Sequence, residues 1–157
     1  MRLVIAQTAG FVQMELPDMT WWAARESLLN ALVHRDYFLR QPVTVELYPD
    51  RIQVTSPGGF IGGITPQNIL RHPPQHRNPL LASVFQAIGL VNRAGMGVDL
   101  IVEELLRLGK GLPQYTADES HVRLVLPTRT HKEFALFVAE EDKAGRSLSL
   151  DDLILLW

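Results

Sequence analysis

The 157-residue sequence contains no cysteine. Disulfide bonds and thiolate metal sites are therefore excluded, and the composition suits the reducing environment of the cytoplasm. Charge of either sign is not in excess, since 15 Lys and Arg residues stand against 17 Asp and Glu residues, for a formal net charge of −2. This balance provides no overall attraction to nucleic acid or to an acidic membrane surface. We therefore expect a cytoplasmic protein whose partner its charge does not identify.

Long apolar segments are also missing. No run reaches the roughly 18 to 20 residues that a membrane-spanning helix needs, so no membrane partner is expected. The opening segment MRLVIAQTAG is too short for a signal peptide and has no convincing cleavage region, so it predicts a strand. What the chain does have is 46% hydrophobic residues, enough for one domain with a substantial core.

Two common nucleotide motifs fail on spacing. A P-loop ending at Gly109 and Lys110 would need a glycine where Glu104 stands. The triplet HRD at residues 34 to 36 resembles the protein-kinase catalytic loop, but Gln41 occupies the place of its metal-binding asparagine and no DFG follows. A P-loop NTPase and a protein kinase are therefore both rejected.

The order of predicted elements indicates the fold class. Periodicity and turn residues predict strands at 2–7 and 11–16, a helix at 19–34, a hairpin of strands at 43–48 and 51–56, helices at 80–90 and 98–108, a strand at 121–127, and two final helices divided at Gly145. Residues 56–79 form a Gly- and Pro-rich loop with room for one short helix at most. Strands and helices do not alternate regularly, so we expect an α+β sandwich with helices on one face of a mixed sheet.

Polar residues recur with helical spacing inside the first predicted helix. Glu26, Asn30 and His34 are each four residues from the next and so share one face. Taken singly, Glu26 has a simpler interpretation as a surface acid, and Asn30 as an amide satisfied by backbone. Glycine pairs follow later in the chain, at positions 58 and 59 and at positions 95 and 97, and each pair alone is also compatible with a plain turn or helix start.

In combination these features resemble the GHKL ATPases, the superfamily that includes gyrase, histidine kinases and MutL. The blocks RESLLNALVHRDY, DRIQVTSPGGF, HRNPLL and GLVNRAGMGVDLI occur in order and cover about residues 20 to 127. They look most like the RecG-like C-terminal ATPase domain, which is often found beside a Schlafen/AlbA-type domain in bacterial and archaeal regulators. The resemblance implies a two-layer α/β sandwich of the GHKL (Bergerat) type that binds ATP and Mg²⁺.

The resemblance also assigns roles to individual residues. Glu26 matches the acid that polarises the attacking water, and Asn30 matches the amide whose oxygen binds Mg²⁺. A base and a metal ligand four residues apart on a helix have Cβ atoms about 5 to 6 Å apart, which suits action on one triphosphate. The loop between the two glycine pairs corresponds to a lid over the ATP. Gly58 and Gly59 match the glycine positions beneath the adenine. Gly95 and Gly97 match the later glycine positions beside the phosphates.

The sequence departs from the superfamily where the adenine-binding Asp is expected. Thr55 and Ser56 stand there, and a hydroxyl such as that of Ser56 can accept the hydrogen bond from adenine without charge assistance. Two interpretations stay open for the nearby cationic side chains. Arg35 or His34 reaches phosphate, while Asp36 and Tyr37 only close the helix. Arg77 is either a lid contact or a solvated loop charge.

Residues 128–157 resemble the start of a winged helix-turn-helix that follows an ATP-binding domain at 1–127. No recognition helix is present, so we expect DNA contact only through missing or neighbouring domains. The apolar end must either dock on its own domain or form a homodimer contact, and we favour the homodimer. The expected function is an ATP-binding domain of a transcriptional regulator or helicase-related protein, and hydrolysis of the ATP stays open. The alternative is a degenerate fold that serves as a structural or dimerisation module.

Overall fold

A computed structural model describes residues 21–91 and 96–157. Within those ranges the chain forms five helices and four strands: α1 (Trp21–His34), β1 (Thr44–Leu47), β2 (Arg51–Pro57), α2 (Pro79–Ala87), α3 (Gly97–Arg107), β3 (Gln114–Ala117), β4 (His121–Pro127), α4 (Lys132–Lys143) and α5 (Leu150–Leu156). None of these helices is long and apolar enough to cross a membrane. The two strands predicted before residue 17, the first residues of the first predicted helix and Gly95 lie outside the described ranges.

The described strands form one sheet in the order β1-β2-β4-β3. The predicted hairpin is confirmed, because Val45 pairs with Val54 and the Tyr48 N–H donates to the Arg51 carbonyl at 2.9 Å across the Pro49-Asp50 turn. In this part of the chain every neighbouring pair is antiparallel, whereas a mixed sheet was expected. The reason is that β4 returns antiparallel along β2 and carries β3 beside it as a second hairpin.

Strand β3 was not predicted. It has four residues, and only Tyr115 among them is not fully exposed. The turn that follows is built by Asp118, whose Oδ1 accepts from the backbone N–H groups of Ser120 at 2.7 Å and His121 at 2.8 Å. A short edge strand of this kind has too little alternation to be distinguished from a loop in sequence.

The main hydrophobic cluster lies between the sheet and helices α1 and α3. Alternation along β2 turns Ile52, Val54 and Ser56 toward the helices, and Ile101 and Leu105 of α3 are four residues apart on the facing side. Both α3 side chains are fully buried. The buried members of this cluster are Ala31, Ile52, Val54, Ile101, Leu105, Leu124 and Leu126.

A second cluster joins the C-terminal helices to the rest of the domain. Val102 and Leu106 lie on another face of α3 and pack with Val138 of α4 and Leu153 of α5. Helix α5 begins with the expected capping box, in which the Ser149 side chain accepts from the Asp152 N–H at 3.2 Å. Leu153 and this first turn are thereby fixed on the domain itself.

The last residue also contacts its own domain. The Trp157 ring meets Phe134 and His131 edge-on, with ring centroids 5.0 Å apart in both cases. Leu153 and Trp157 therefore dock on their own domain, although Trp157 remains 39% and Leu156 50% exposed, and the homodimer contact stays a prediction. Leu155 stays 85% exposed.

Candidate functional site

A cavity of about 320 Å³ lies at the junction of α1, the sheet, the loop between β2 and α2, and the start of α3. Arg35 does not line it, and Gly95 lies outside the described residues. The other predicted site residues, although far apart in sequence, all line this one cavity: Glu26, Asn30, His34, Ser56, Gly58, Gly59, Arg77 and Gly97.

One end of the cavity brings together Glu26, Asn30 and Gly97. The four-residue spacing places both polar side chains on the same face of α1, and the first residue of α3 lies directly against them. A Cβ atom on Gly97 would overlap Oε1 of Glu26 and would lie 2.8 Å from Nδ2 of Asn30. Glycine is therefore required at this position by the close approach of α3 to the two side chains.

The polar groups at this end are buried. Glu26 is 6% exposed. Burial raises the pKa of its carboxyl group, and the charge of Arg25 opposes this effect. Asn30 Nδ2 is buried and has no hydrogen-bond partner among the described residues. The amide is thus free to interact with a bound group, and rotating it by 180° would present its oxygen instead.

The fit to Mg²⁺ depends on this amide. Within residues 21–91 and 96–157 no three His, Asp or Glu side chains are grouped so that they could hold a metal ion. Magnesium usually takes few protein ligands and completes its coordination with water and substrate phosphates. One amide oxygen beside an anionic substrate is consistent with that chemistry, whereas a metal held by protein side chains alone would not be.

Ser56 is buried at the end of β2 and lines the same cavity. Its hydroxyl donates to the Ala31 carbonyl at 2.8 Å. That carbonyl belongs to the last turn of α1, where helix carbonyls have no partner within the helix. Because the hydroxyl proton is used, Ser56 can offer only acceptor lone pairs to the cavity.

Arg77 closes the base of the loop between β2 and α2. Its guanidinium donates to Asp36 Oδ2 at 3.2 Å and to the Gly59 carbonyl at 2.7 Å. Gly58 packs against both Asp36 and Arg77, since a Cβ there would lie 2.7 Å from Asp36 Cβ and 3.3 Å from the Arg77 guanidinium. Its φ of 93° also favours glycine. Arg77 is therefore a structural loop contact in this arrangement and is not a solvated charge.

The segments HRD and HRN form a paired set of contacts that we call the latch, comprising His34, Asp36, His76, Arg77 and Asn78. The rings of His34 and His76 stack with centroids 5.7 Å apart. The Asn78 side chain donates to the carbonyls of Val33 at 2.8 Å and Arg35 at 2.7 Å. The latch thus fastens the start of α2 to the C-terminal end of α1.

The two remaining cationic candidates differ in position. Burial, together with the charges of His76 and Arg77, lowers the pKa of His34 to about 4, so His34 lines the cavity as a neutral ring at pH 7. The Arg35 guanidinium instead donates to the Gln41 carbonyl at 2.7 Å and lies 4.7 Å from the centroid of the Tyr37 ring. Neither side chain supplies a positive charge to the cavity in this arrangement.

Sequence reasoning missed Tyr115 and His76, which also line the cavity. Tyr115 belongs to the unpredicted strand β3, and its ring contacts Phe60 of the loop with centroids 6.4 Å apart. The repeated pattern HR(D/N) at 34–36 and 76–78 was a possible signal for His76. No comparable pattern marks Tyr115.

Comparison with known proteins relates the chain to a family and to one crystal structure. The family model described as "Putative ATP-dependent DNA helicase recG C-terminal" matches residues 40–126. The crystal structure of the DIP2311 protein from Corynebacterium diphtheriae matches with a TM-score of 0.79 and 29% identity, over 90% of this chain and 30% of that one. Curated proteins give no match. The family model covers more than half of the length of this chain. The chain therefore belongs to the recG C-terminal family of ATPase-like domains.

Proposed function

We propose that this domain binds ATP together with Mg²⁺ in the cavity beside α1 and hydrolyses it. The observation that carries the proposal is the contact of Gly97 with Glu26 and Asn30, where no side chain fits at the start of α3. A carboxylate, an unpartnered amide and bare backbone at the start of a helix meet there. The positive end of a helix dipole and unpaired N–H groups favour phosphate at such a position.

The roles follow from the chemistry of each group. Glu26 accepts a proton from the attacking water, and its raised pKa brings it closer to the neutral range in which a general base is effective. The Asn30 oxygen holds Mg²⁺, which when bound neutralises phosphate charge. Gly97 allows the start of α3 to lie directly against Glu26 and Asn30, so that the N–H groups of its first turn would be available to phosphates bound beside these two side chains. The hydroxyl oxygen of Ser56 accepts from the amino group of adenine.

The wider setting of the domain is also a proposal. A sheet with α1 and α3 on one face supports a GHKL sandwich over residues 1–127, and α4 and α5 would be the first helices of a winged helix over 128–157. The chain spans 30% of the matched crystal structure. DNA contact through missing or neighbouring domains is part of this proposal. We infer a cytoplasmic transcriptional regulator or helicase-related protein. A homodimer contact at the apolar end would have to use the exposed Leu155, because Leu153 is buried on its own domain.

One observation favours a second candidate, the degenerate module without nucleotide binding. The strand that precedes the glycine pair has Ser56 near its end, where the superfamily has an acid, and the Ser56 hydroxyl already donates its proton to the Ala31 carbonyl. Base recognition would then rest on a neutral acceptor, which binds more weakly than a carboxylate. The two candidates differ in a single measurable property, the binding of ATP.

Thermal unfolding with ATP, in the presence of Mg²⁺ or of EDTA, tests the proposal. A ligand at 100 times its dissociation constant adds about 2.7 kcal/mol to the free energy of unfolding. We expect such stabilisation with Mg²⁺ and much less with EDTA. An unfolding midpoint that ATP leaves unchanged under both conditions would instead support the degenerate module.

Two substitutions separate binding from hydrolysis. Glu26→Gln keeps the side-chain shape but removes the base, so hydrolysis should be lost while ATP still stabilises the protein. Asn30→Ala should weaken ATP binding with Mg²⁺ and leave the weak binding with EDTA unaltered. Equal loss of binding and turnover in Glu26→Gln would contradict the assigned role of Glu26.

A further inference from the structure

Tyr115 is held in place by two sets of contacts. It pairs with Leu124 across β3 and β4, and its ring packs against the main hydrophobic cluster. Phe60, from the loop that follows the glycine pair, also contacts the ring, with the two planes tilted by 48°. The position of the phenol in the cavity is therefore set by the sheet and the loop together.

The hydroxyl of this side chain has no hydrogen-bond partner within residues 21–91 and 96–157. The Tyr115 side chain is only partly buried, so water in the cavity can reach this hydroxyl. Desolvation raises the pKa of Tyr115, and the negative charge of Glu26 raises it further. The phenol consequently keeps its proton and is available as a hydrogen-bond donor in the cavity that Glu26 also lines.

Glu26 and Tyr115 line the same cavity, and a donor and an acceptor that bind one group together select its chemistry. Glu26 can only accept a hydrogen bond when ionised, and Tyr115 can donate one. A phosphate oxygen would satisfy Tyr115 but would meet the like charge of Glu26. A water molecule satisfies both side chains, because it donates to the carboxylate and accepts from the phenol.

We propose that Tyr115 is a positioning residue whose hydroxyl holds the water that Glu26 polarises. This inference rests on the proposed hydrolysis of ATP. The phenol fixes the direction of the water's lone pairs and of the proton that passes to Glu26, so its contribution falls on the chemical step and not on the affinity for ATP.

The test is Tyr115→Phe, which keeps the ring and its packing and removes only the hydroxyl. The rate of ATP hydrolysis at saturating MgATP should fall by about threefold to tenfold, the effect of one lost hydrogen bond between neutral groups. The dissociation constant for MgATP should stay within about twofold of wild type. Tyr48→Phe is the matched control, since the Tyr48 hydroxyl bonds Glu46 at 3.3 Å on the exposed hairpin.

The outcomes separate this inference from the proposed function. Unchanged turnover in Tyr115→Phe would overturn the role of Tyr115 alone. Weakened MgATP binding with an unchanged maximal rate would show a phosphate contact and would also overturn it. A wild-type protein that neither binds nor hydrolyses ATP would overturn the proposed function and this inference together. An unfolding midpoint close to that of wild type establishes that the variant is folded.

Discussion

At the scale of single residues, the cavity depends on a position with no side chain. Gly97 lies where the first turn of α3 meets Glu26 and Asn30, and its own backbone conformation does not demand glycine. Glycine is required there only because a larger residue would overlap the two neighbouring side chains. Any substitution that adds a side chain at this position should therefore disturb the packing.

Gly97→Ala should therefore destabilise the protein and remove its response to MgATP. Alanine favours a helix by about 1 kcal/mol over glycine, but forcing an extra carbon into a packed site costs about 1 to 3 kcal/mol, so the overlap should dominate. Chemical denaturation measures the first effect, and thermal unfolding with MgATP the second. Met96→Ala, at the exposed neighbouring position, should change neither. A Gly97→Ala variant as stable and as responsive as wild type would contradict the packing described here.

Sequence predicted the residues whose spacing is local. Glu26 and Asn30 share a helix face because of a four-residue interval, and the glycine pairs are visible as GG and GMG. The position of Arg35 outside the cavity was not predictable, since it depends on the carbonyl of Gln41 and the ring of Tyr37. Tyr115 was missed because its contact with Phe60 joins segments distant in sequence.

At the scale of elements, the helices and the hairpin were predictable because each has a strong local period. The antiparallel return of β4 along β2 was not, since it depends on the path of the chain through two helices. The contacts of the latch could not be predicted from the sequence for the same reason. Its two triplets are obvious in sequence, but their pairing is a long-range property, with Arg77 bonded to a carboxylate 41 residues earlier.

The latch should make the protein sensitive to acid. The pKa of His34 is lowered to about 4 in the folded state, by burial and by the charges of His76 and Arg77, against an ordinary value of 6.5. Between these values the unfolded chain binds a proton that the folded chain does not, so stability falls as pH decreases from 6.5 toward 4. This difference in pKa corresponds to a loss of at most about 3 kcal/mol in the free energy of unfolding.

Denaturant titrations at several pH values measure this dependence. His34→Gln, which cannot titrate, should flatten this dependence between pH 6.5 and 4. His72→Gln, a change in the loop between β2 and α2 and outside the latch, should keep the dependence of wild type. If His34→Gln retains the full loss of stability in acid, groups other than the latch are responsible.

At the scale of the whole molecule, α4 and α5 are joined to the sheet layer through α3. Leu153 is fully buried against Val102 and Leu106, and the neighbouring Leu155 is 85% exposed on the same helix. The C-terminal helices therefore contribute to the stability of the domain itself.

Leu153→Ala should lower the free energy of unfolding by about 2 to 5 kcal/mol, because it removes buried methyl groups and leaves a cavity. Leu155→Ala makes the same chemical change at an exposed position and should cost less than about 0.5 kcal/mol. Equilibrium denaturation in urea compares the two variants. Similar losses of stability in both would mean that α5 does not dock as described.

Helix α3 contacts both ends of this arrangement. Its first residue lies against Glu26 and Asn30, and its last, Arg107, pairs with Asp142 of α4 at 3.1 Å. Eleven residues of helix form a rod about 16 Å long. Since packed interiors are nearly incompressible, such a rod transmits a displacement along its length. Helix α3 is thus one rigid connection between the cavity and the C-terminal helices.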